Sequence, residues 1–218
     1  MTLIIGARCK DGIILAADCR RLSRYERGPK TSKVFKLSCG VVVAGAGDDA
    51  VLNEARLFID RQTEKLQSQS AISSLLDVVE VTAAIVNELV NCYKDKVEEP
   101  FGYVLAGLDN LGSGSAKLYT IFGAGFSDVP WVCLGSGGVY ARPLVDLLLA
   151  DSSLPTEEAV KIIAPLFTLV SNVQTTVGDG VDVYVVRDNQ GVGDIVRQQE
   201  IELDGLRSAI LNAIGVQP

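Results

Sequence analysis

The chain contains no histidine at all. That absence removes the Ser–His–Asp and Cys–His mechanisms, and with them the commonest transition-metal ligand. The five cysteines, Cys9, Cys19, Cys39, Cys92 and Cys133, are odd in number and form no CxxC pair, so they read as reduced, mostly buried thiols of a cytosolic protein rather than as a disulfide framework or a zinc site. No metal and no cofactor is expected. An excess of basic residues is also missing: 20 Lys and Arg stand against 27 Asp and Glu, a formal net charge of −7, which argues against nucleic acid and anionic membrane surfaces as partners. Apolar runs fall short of the roughly 20 residues needed to cross a bilayer. The first residues do not show a basic stretch followed by an apolar core and a cleavage site, so a cytoplasmic location is expected.

What is present is a chain of 218 residues that is 48% hydrophobic, enough to bury a substantial core. With no linker or low-complexity stretch to divide it, residues 1–218 are expected to form a single domain. Runs rich in Ile, Val and Leu between turn residues predict strands at 3–9, 12–18, 33–37, 40–45, 101–108, 115–122, 130–134, 181–187 and 193–198. The turn of the 101–122 pair is placed over 109–114. Acidic Asp48 and Asp49 suit a helix start, and Val51, Ala55, Phe58, Ile59 and Leu66 recur at helical spacing to about residue 69. Further helices are predicted over 74–97, from the glycine turn 135–138 to 151, over 156–172 with Thr156 or a neighbour as cap, and over 203–214. Paired antiparallel strands between two sets of helices imply an α+β, four-layer α/β/β/α sandwich.

With histidine gone, a hydrolase must draw its base from a terminal amine, a lysine or a carboxylate. The first 35 residues offer such a set: Thr2 directly behind Met1, Asp18 at the end of the second apolar run, and Lys33 fifteen residues later. A threonine at a mature N-terminus carries its own base, because an α-amino group has a reference pKa of about 7.7–8.0, close to what general-base work at neutral pH needs. Lys33 would place a cation beside that nucleophile. Asp18 would hold the ammonium, since a buried lysine lacking a carboxylate tends to lose its charge. On spacing alone the same three residues also read as an ordinary second residue, a strand-ending carboxylate and a surface lysine.

The wider pattern bears on that choice. The stretch Gly6 to Asp18 (GARCKDGIILAAD), Lys33 to Leu37, Val43-Ala44-Gly45, the turn Gly135-Ser136-Gly137-Gly138 and the late segment Gly178 to Val186 (GDGVDVYVV) occur in this order over essentially the full chain. Together they resemble the proteasome β-subunit family of N-terminal-nucleophile hydrolases, including its HslV-type bacterial relatives. The resemblance implies a threonine peptidase that cleaves unfolded polypeptides through an acyl-enzyme on Thr2 after Met1 is removed. It assigns Thr2, Asp18 and Lys33 to the catalytic centre, the Gly45 N–H to the oxyanion, and Ser136 to the terminal amine as a proton shuttle. Arg21, Thr31 and Val43 would line the pocket for the side chain before the scissile bond, with Val43 an apolar wall and Arg21 either facing inward or solvent-exposed. Gly45 also reads as a strand-to-helix bend, and the 135–138 turn as a plain helix cap. Arg20 is expected to pair locally.

The family's usual Asp and Ser before the late glycine turn are replaced here by Gln174 and Val177, with Asp179 and Asp182 as candidate substitutes. Three further readings therefore stand beside the peptidase: a catalytically silent ring subunit, an N-terminal-threonine acyl transferase (transpeptidase or ligase), and a small-amide hydrolase of the same fold. The resemblance also implies stacked homo-oligomeric rings of roughly six chains or more. The helices 49–69 and 74–97 would form much of the ring-on-ring surface, and an α-type ring or an ATPase is a candidate gating partner.

Overall fold

The computed structural model describes residues 2–21, 28–93, 102–123, 125–149, 153–192 and 196–198. Strands β1 (Ile4–Cys9) and β2 (Gly12–Asp18) form the opening hairpin, followed by β3 (Val34–Lys36) and β4 (Val42–Ala46). Helices α1 (Asp49–Ser68) and α2 (Leu75–Tyr93) come next, then β5 (Gly102–Asn110), β6 (Ser113–Phe122), β7 (Gly125–Asp128) and β8 (Trp131–Leu134). Helices α3 (Gly138–Leu149) and α4 (Thr156–Val173) precede β9 (Val181–Arg187), β10 (Gly191–Val192) and β11 (Val196–Gln198). The strands make two antiparallel sheets: one in the order β10-β9-β2-β1-β8, with β11 also paired to β9, and one in the order β3-β4-β5-β6-β7.

Strand alternation explains the layering. Along β1 and its lead-in, Leu3, Ile5 and Ala7 point to one side, where Ala141, Val145, Ile163 and Phe167 of α3 and α4 cover them. Ile4 points to the other side, together with Ile13, Leu15 and Ala17 of β2, and meets Val42, Ala44, Val104 and Leu118 of the second sheet. That sheet turns Val43, Leu105 and Ile121 outward, under Val51, Ala55 and Ile59 of α1 and Val79, Ala83 and Val86 of α2. Three stacked cores thus separate four layers, the α/β/β/α sandwich that the strand and helix pattern predicts. β1 and β2 are hydrophobic on both faces because both are covered.

Several boundaries differ for identifiable reasons. β5 and β6 run to Asn110 and from Ser113, so the connection is the two residues Leu111-Gly112 rather than the six over 109–114, with a register irregularity between Leu108 and Asn110. Ladder pairing prolongs both strands through polar residues that carry no hydrophobic signal. β7 was not anticipated: its GFSD sequence is exposed, and only its ladder to β6 makes it a strand. Of the strand expected at 193–198, Val196–Gln198 form β11, while 193–195 lie outside the described residues; β10 (Gly191–Val192) comes before it on the same edge of β9.

Helix α1 begins where expected, with the Asp48 carboxylate accepting from the Ala50 and Val51 N–H groups at 2.9 and 3.2 Å, the preferred N-cap arrangement. Thr156 does not cap α4. Pro155 holds the cap position, and Thr156 donates its N–H and hydroxyl to Asp11, in the β1–β2 turn, at 2.7 and 3.1 Å. A partner 145 residues away supplies the cap. Helix α2 starts at Leu75, one residue after Ser74, which bridges to Asn110, and is described to Tyr93; residues 94–97 of the predicted 74–97 helix and the predicted 203–214 helix lie outside the described residues. No helix among the described residues is long and apolar enough to cross a membrane, and they contain no group of three metal-ligating side chains. All five cysteines are free thiols, with Cys19, Cys39 and Cys133 buried, Cys9 half-buried and Cys92 exposed.

Candidate active site

Where the opening hairpin ends, Asp18 is fully buried and accepts from five donors. Its Oδ1 takes the Thr2 hydroxyl at 3.1 Å, the Leu3 N–H at 2.8 Å and the Lys33 Nζ at 3.0 Å. Its Oδ2 takes Lys33 Nζ again at 3.1 Å, the Arg20 N–H at 3.1 Å and, more distantly, the Gly178 N–H at 3.3 Å. The register puts these groups together. β1 pairs Ile4 with Ala17, so the residues just outside the ladder, Thr2 and Leu3, fall beside Asp18. β3 begins one residue after Lys33 on the facing sheet, so the lysine reaches across the inter-sheet gap. Thr2 and Lys33 are themselves nearly inaccessible, at 2% and 8%. A carboxylate stripped of water in this way is tolerable only because its lone pairs are taken by N–H and O–H groups and an ammonium neutralises it.

The glycine turn grips the same segment from outside. Gly137 donates its N–H to the Thr2 carbonyl at 3.0 Å. Gly135 sits at φ +88°, and a Cβ there would come within 2.3 Å of that carbonyl oxygen, so no side chain fits. Ser136, carried by this turn, shares a hydrogen bond with the Thr176 hydroxyl at 3.1 Å. Thr176 is buried and lies in the late loop, two residues before Gly178. The family pattern in the sequence points to Gln174 and Val177, not to Thr176. A hydroxyl residue beside the vacant family positions was the readable signal. Gln174 is the C-cap of α4, and Val177 is fully buried in the core under α4, so neither stands in for the missing Asp or Ser by chemistry.

Arg20 does not pair locally. Its guanidinium donates to the Thr175 carbonyl at 2.6 Å and lies 3.3 Å from Asp179, tying the end of β2 to the late loop. Asp179 adopts φ +66° there, an uncommon conformation for a residue with a side chain. Asp182 stays in β9, buried, beside the Cys19 thiol. Burial first, then the nearby carboxylates of Asp182 and Asp18, push that thiol up to about 12. Cys19 is therefore protonated at neutral pH and no nucleophile.

Gly45 lies inside β4 with no bend. A Cβ there would meet the tips of Leu52 from α1 and Tyr103 from β5 at 2.8 Å, so any larger residue would push those side chains aside. Its N–H points to the Lys33 carbonyl at 3.4 Å, long for such a bond. Beside it opens a cleft of about 520 Å³, mouth included, lined among others by Arg21, Thr31 and Val43. Val43 forms an apolar wall. Arg21 faces the cleft but is ion-paired to Asp49 at 2.9 Å, with both side chains well exposed. The Thr31 hydroxyl donates to the Pro29 carbonyl at 3.2 Å. The structure therefore gathers Thr2, Asp18 and Lys33 in direct contact, sets the Ser136 turn on the Thr2 backbone, and places Gly45 with the three cleft residues alongside.

Two facing antiparallel sheets between helix layers, with the chain's second residue buried against the end of the first hairpin, define the N-terminal-nucleophile hydrolase fold. The family profile described as "Proteasome subunit" matches residues 2–186, and the chain belongs to that family. Among curated relatives it is 23% identical over 218 residues to "Proteasome subunit beta" of Ferroglobus placidus, covering 94% of this chain and 96% of that protein. It is 26% identical over 190 residues to "Proteasome subunit beta 1" of Thermococcus kodakarensis, covering 86% and 89%. Subunits of the other type match too: "Proteasome subunit alpha" of Methanococcus maripaludis is 24% identical over 203 residues, covering 92% and 76%. Among solved structures, the Anbu Gly-1 mutant from Hyphomicrobium sp. strain MC1 superposes with a TM-score of 0.79 over 100% of this chain and 99% of that one, at 16% identity, a likeness of fold.

Proposed function

We propose that this chain is a threonine peptidase subunit of a ring-shaped particle and cleaves unfolded polypeptides with Thr2 as nucleophile. The observation that carries the reading is the convergence of the Thr2 hydroxyl and the Lys33 ammonium on one oxygen of buried Asp18. While Met1 precedes Thr2, its nitrogen is an amide and is not basic. Once Met1 is removed, the freed amine takes the Thr2 hydroxyl proton as Oγ1 attacks the scissile carbonyl carbon, and Lys33 lowers the cost of the developing alkoxide. The Gly45 N–H turns from its long bond with the Lys33 carbonyl to the oxyanion, an interaction worth roughly 3–4 kcal/mol in other hydrolases. The protonated amine then gives its proton to the leaving nitrogen, and the C–N bond breaks. Water, deprotonated by the same amine, attacks the acyl carbon; the amine then returns the proton to Oγ1 as the ester bond breaks and the acid is released. Ser136, held by Thr176, passes protons at the amine.

Ring assembly hides such a site from bystander proteins. The outer faces of α1 and α2 expose Leu57, Phe58 and Leu76, surface suited to helix packing between rings. A closed homo-oligomer of roughly six chains or more in the cytoplasm follows, with an α-type ring or ATPase as gate. A monomer by size exclusion with light scattering would defeat the ring. Peptidase chemistry is tested by intact mass. Active protein must begin at Thr2 and gain one adduct from a peptide epoxyketone, and activity in quantitatively Met1-bearing protein would sink the mechanism. A silent ring subunit is the second reading, supported by Val177 and Gln174 at the vacant family positions and by the engaged Gly45 N–H. Absence of both adduct and turnover in chains beginning at Thr2 would establish it. Transfer of the acyl group to an added peptide amine instead of water would mark an acyl transferase.

A further inference from the structure

We propose that the cleft beside Gly45 selects an acidic side chain before the scissile bond, and that Arg56 is the residue that selects it; the inference rests on the peptidase reading and assigns its substrate class. Arg56 reaches the cleft from α1, one turn beyond Leu52 and Asn53, which also line it. The cleft holds three cations, Arg21, Lys33 and Arg56, and one carboxylate, Asp49. Two of the cations are spoken for: Lys33 by Asp18 at 3.0 Å and Arg21 by Asp49 at 2.9 Å. Arg56 has no ion pair among the described residues. Asp60, one helical turn on, accepts from the Ser38 N–H instead, and Glu54 accepts from the Tyr93 hydroxyl. The Arg56 guanidinium stacks over the Phe35 ring at 4.5 Å, and its Nε is buried without a hydrogen-bond partner.

A half-buried cation on a cleft wall with no ion-pair partner is stabilised by a carboxylate brought to it. The stack on Phe35 holds the planar fork in place, so less order is lost when a ligand pairs with it. What fits is a carboxylate on a short aliphatic stem, whose methylenes lie on Val43 and whose two oxygens take the fork in parallel. A basic side chain would meet an uncompensated cation. A leucyl side chain would cover the apolar wall and leave the Arg56 cation without a counter-charge.

The test uses peptide amides of one sequence with Glu, Gln, Leu or Arg before a fluorogenic leaving group, and the full assembled protein. The glutamyl substrate should exceed the glutaminyl one in kcat/KM by about tenfold or more, and the ratio should shrink as salt rises. The readout is that ratio, not the absolute rate. Arg56→Gln should bring it to about one, Arg56→Lys should keep a reduced preference, and Arg56→Glu should favour the arginyl substrate. Cleavage of the leucyl substrate with no glutamyl preference would overturn the inference and leave the peptidase reading standing. If none of the four is cleaved and no epoxyketone adduct forms, the peptidase reading falls. Calorimetry of glutamyl and glutaminyl peptide amides then decides the cleft itself: equal affinities overturn the inference, and tighter glutamyl binding abolished by Arg56→Gln upholds the selection of acidic side chains.

Discussion

The Asp18 centre and the cleft beneath α1 are neighbours built on opposite electrostatic principles. At Asp18 every strong donor has its acceptor, water is excluded, and one carboxylate organises groups from four chain segments. In the cleft, the Arg21–Asp49 pair is well exposed and exchangeable with solvent, and Arg56 has no ion pair among the described residues. The first arrangement fixes geometry before any substrate arrives, which is what a nucleophile requires. The second leaves one cation without a counter-charge, the feature on which the proposed selectivity rests.

The largest effect should come from removing the hub. Asp18→Ala leaves the buried Lys33 ammonium, the Leu3 N–H and the Thr2 hydroxyl without their acceptor, and should cost about 3–5 kcal/mol of stability as well as all turnover, read by urea denaturation and peptide hydrolysis. Lys33→Ala should also abolish turnover but cost less stability than Asp18→Ala, because the carboxylate keeps its hydroxyl and amide donors, and should leave assembly intact. Equal losses in the two variants would mean that Asp18 is not the hub the geometry makes it.

At the proposed nucleophile, Thr2→Ala should remove all activity, whereas Thr2→Ser should retain a reduced level because hydroxyl and amine survive. Activity should rise through neutral pH as the freed amine loses its proton. An unchanged rate in Thr2→Ala would overturn the assignment at once.

The buried thiols give a smaller, pH-dependent effect. Burial pushes Cys9, Cys19 and Cys133 from the ordinary 9.0 up to about 12. The unfolded chain therefore sheds these protons first as pH rises, and the stability present below about pH 9 is progressively lost towards pH 12. Chemical denaturation between pH 8 and 10 should show that decline, and Cys19→Ala should flatten it, even if the cavity lowers stability throughout. Native-state alkylation at pH 8 should reach exposed Cys92 well before buried Cys19, Cys39 and Cys133.

Smaller again, Thr176→Val should cost about 0.5–1.5 kcal/mol through the lost hydroxyl pair with Ser136, and should lower kcat more than it raises KM. Arg21→Ala, which breaks a well-exposed pair with Asp49, should change stability by no more than about 1 kcal/mol. A large loss there would erase the contrast between centre and cleft.

Particular elements show what could be read in advance. The β1–β2 hairpin and both long helix starts follow from local runs, turn residues and spacing, because a strand's period and a helix's cap are written within a few residues. The Thr2–Asp18–Lys33 set stands out only through the family resemblance, since spacing alone also fits an ordinary second residue, a strand-ending carboxylate and a surface lysine. β7 and the tight Leu111-Gly112 turn could not be read, because ladder partners rather than composition create them. The cap on α4 comes from Asp11, and Arg20 reaches the late loop rather than a sequence neighbour. Arg56 was partly readable, since positions 49, 52, 53 and 56 share one face of α1, but its lack of an ion pair was not.

The sequence by itself determined the four-layer class, the absence of any histidine-based mechanism, and which residues could supply nucleophile and charge, since residue chemistry and hydrophobic period are local properties. Only the tertiary structure decided that one oxygen of Asp18 holds both Thr2 and Lys33, that Thr176 partners Ser136, and that Arg21 is neutralised while Arg56 has no ion pair among the described residues. Those outcomes depend on which groups long-range packing brings within about 3 Å, inside a region too dry for water to serve as substitute.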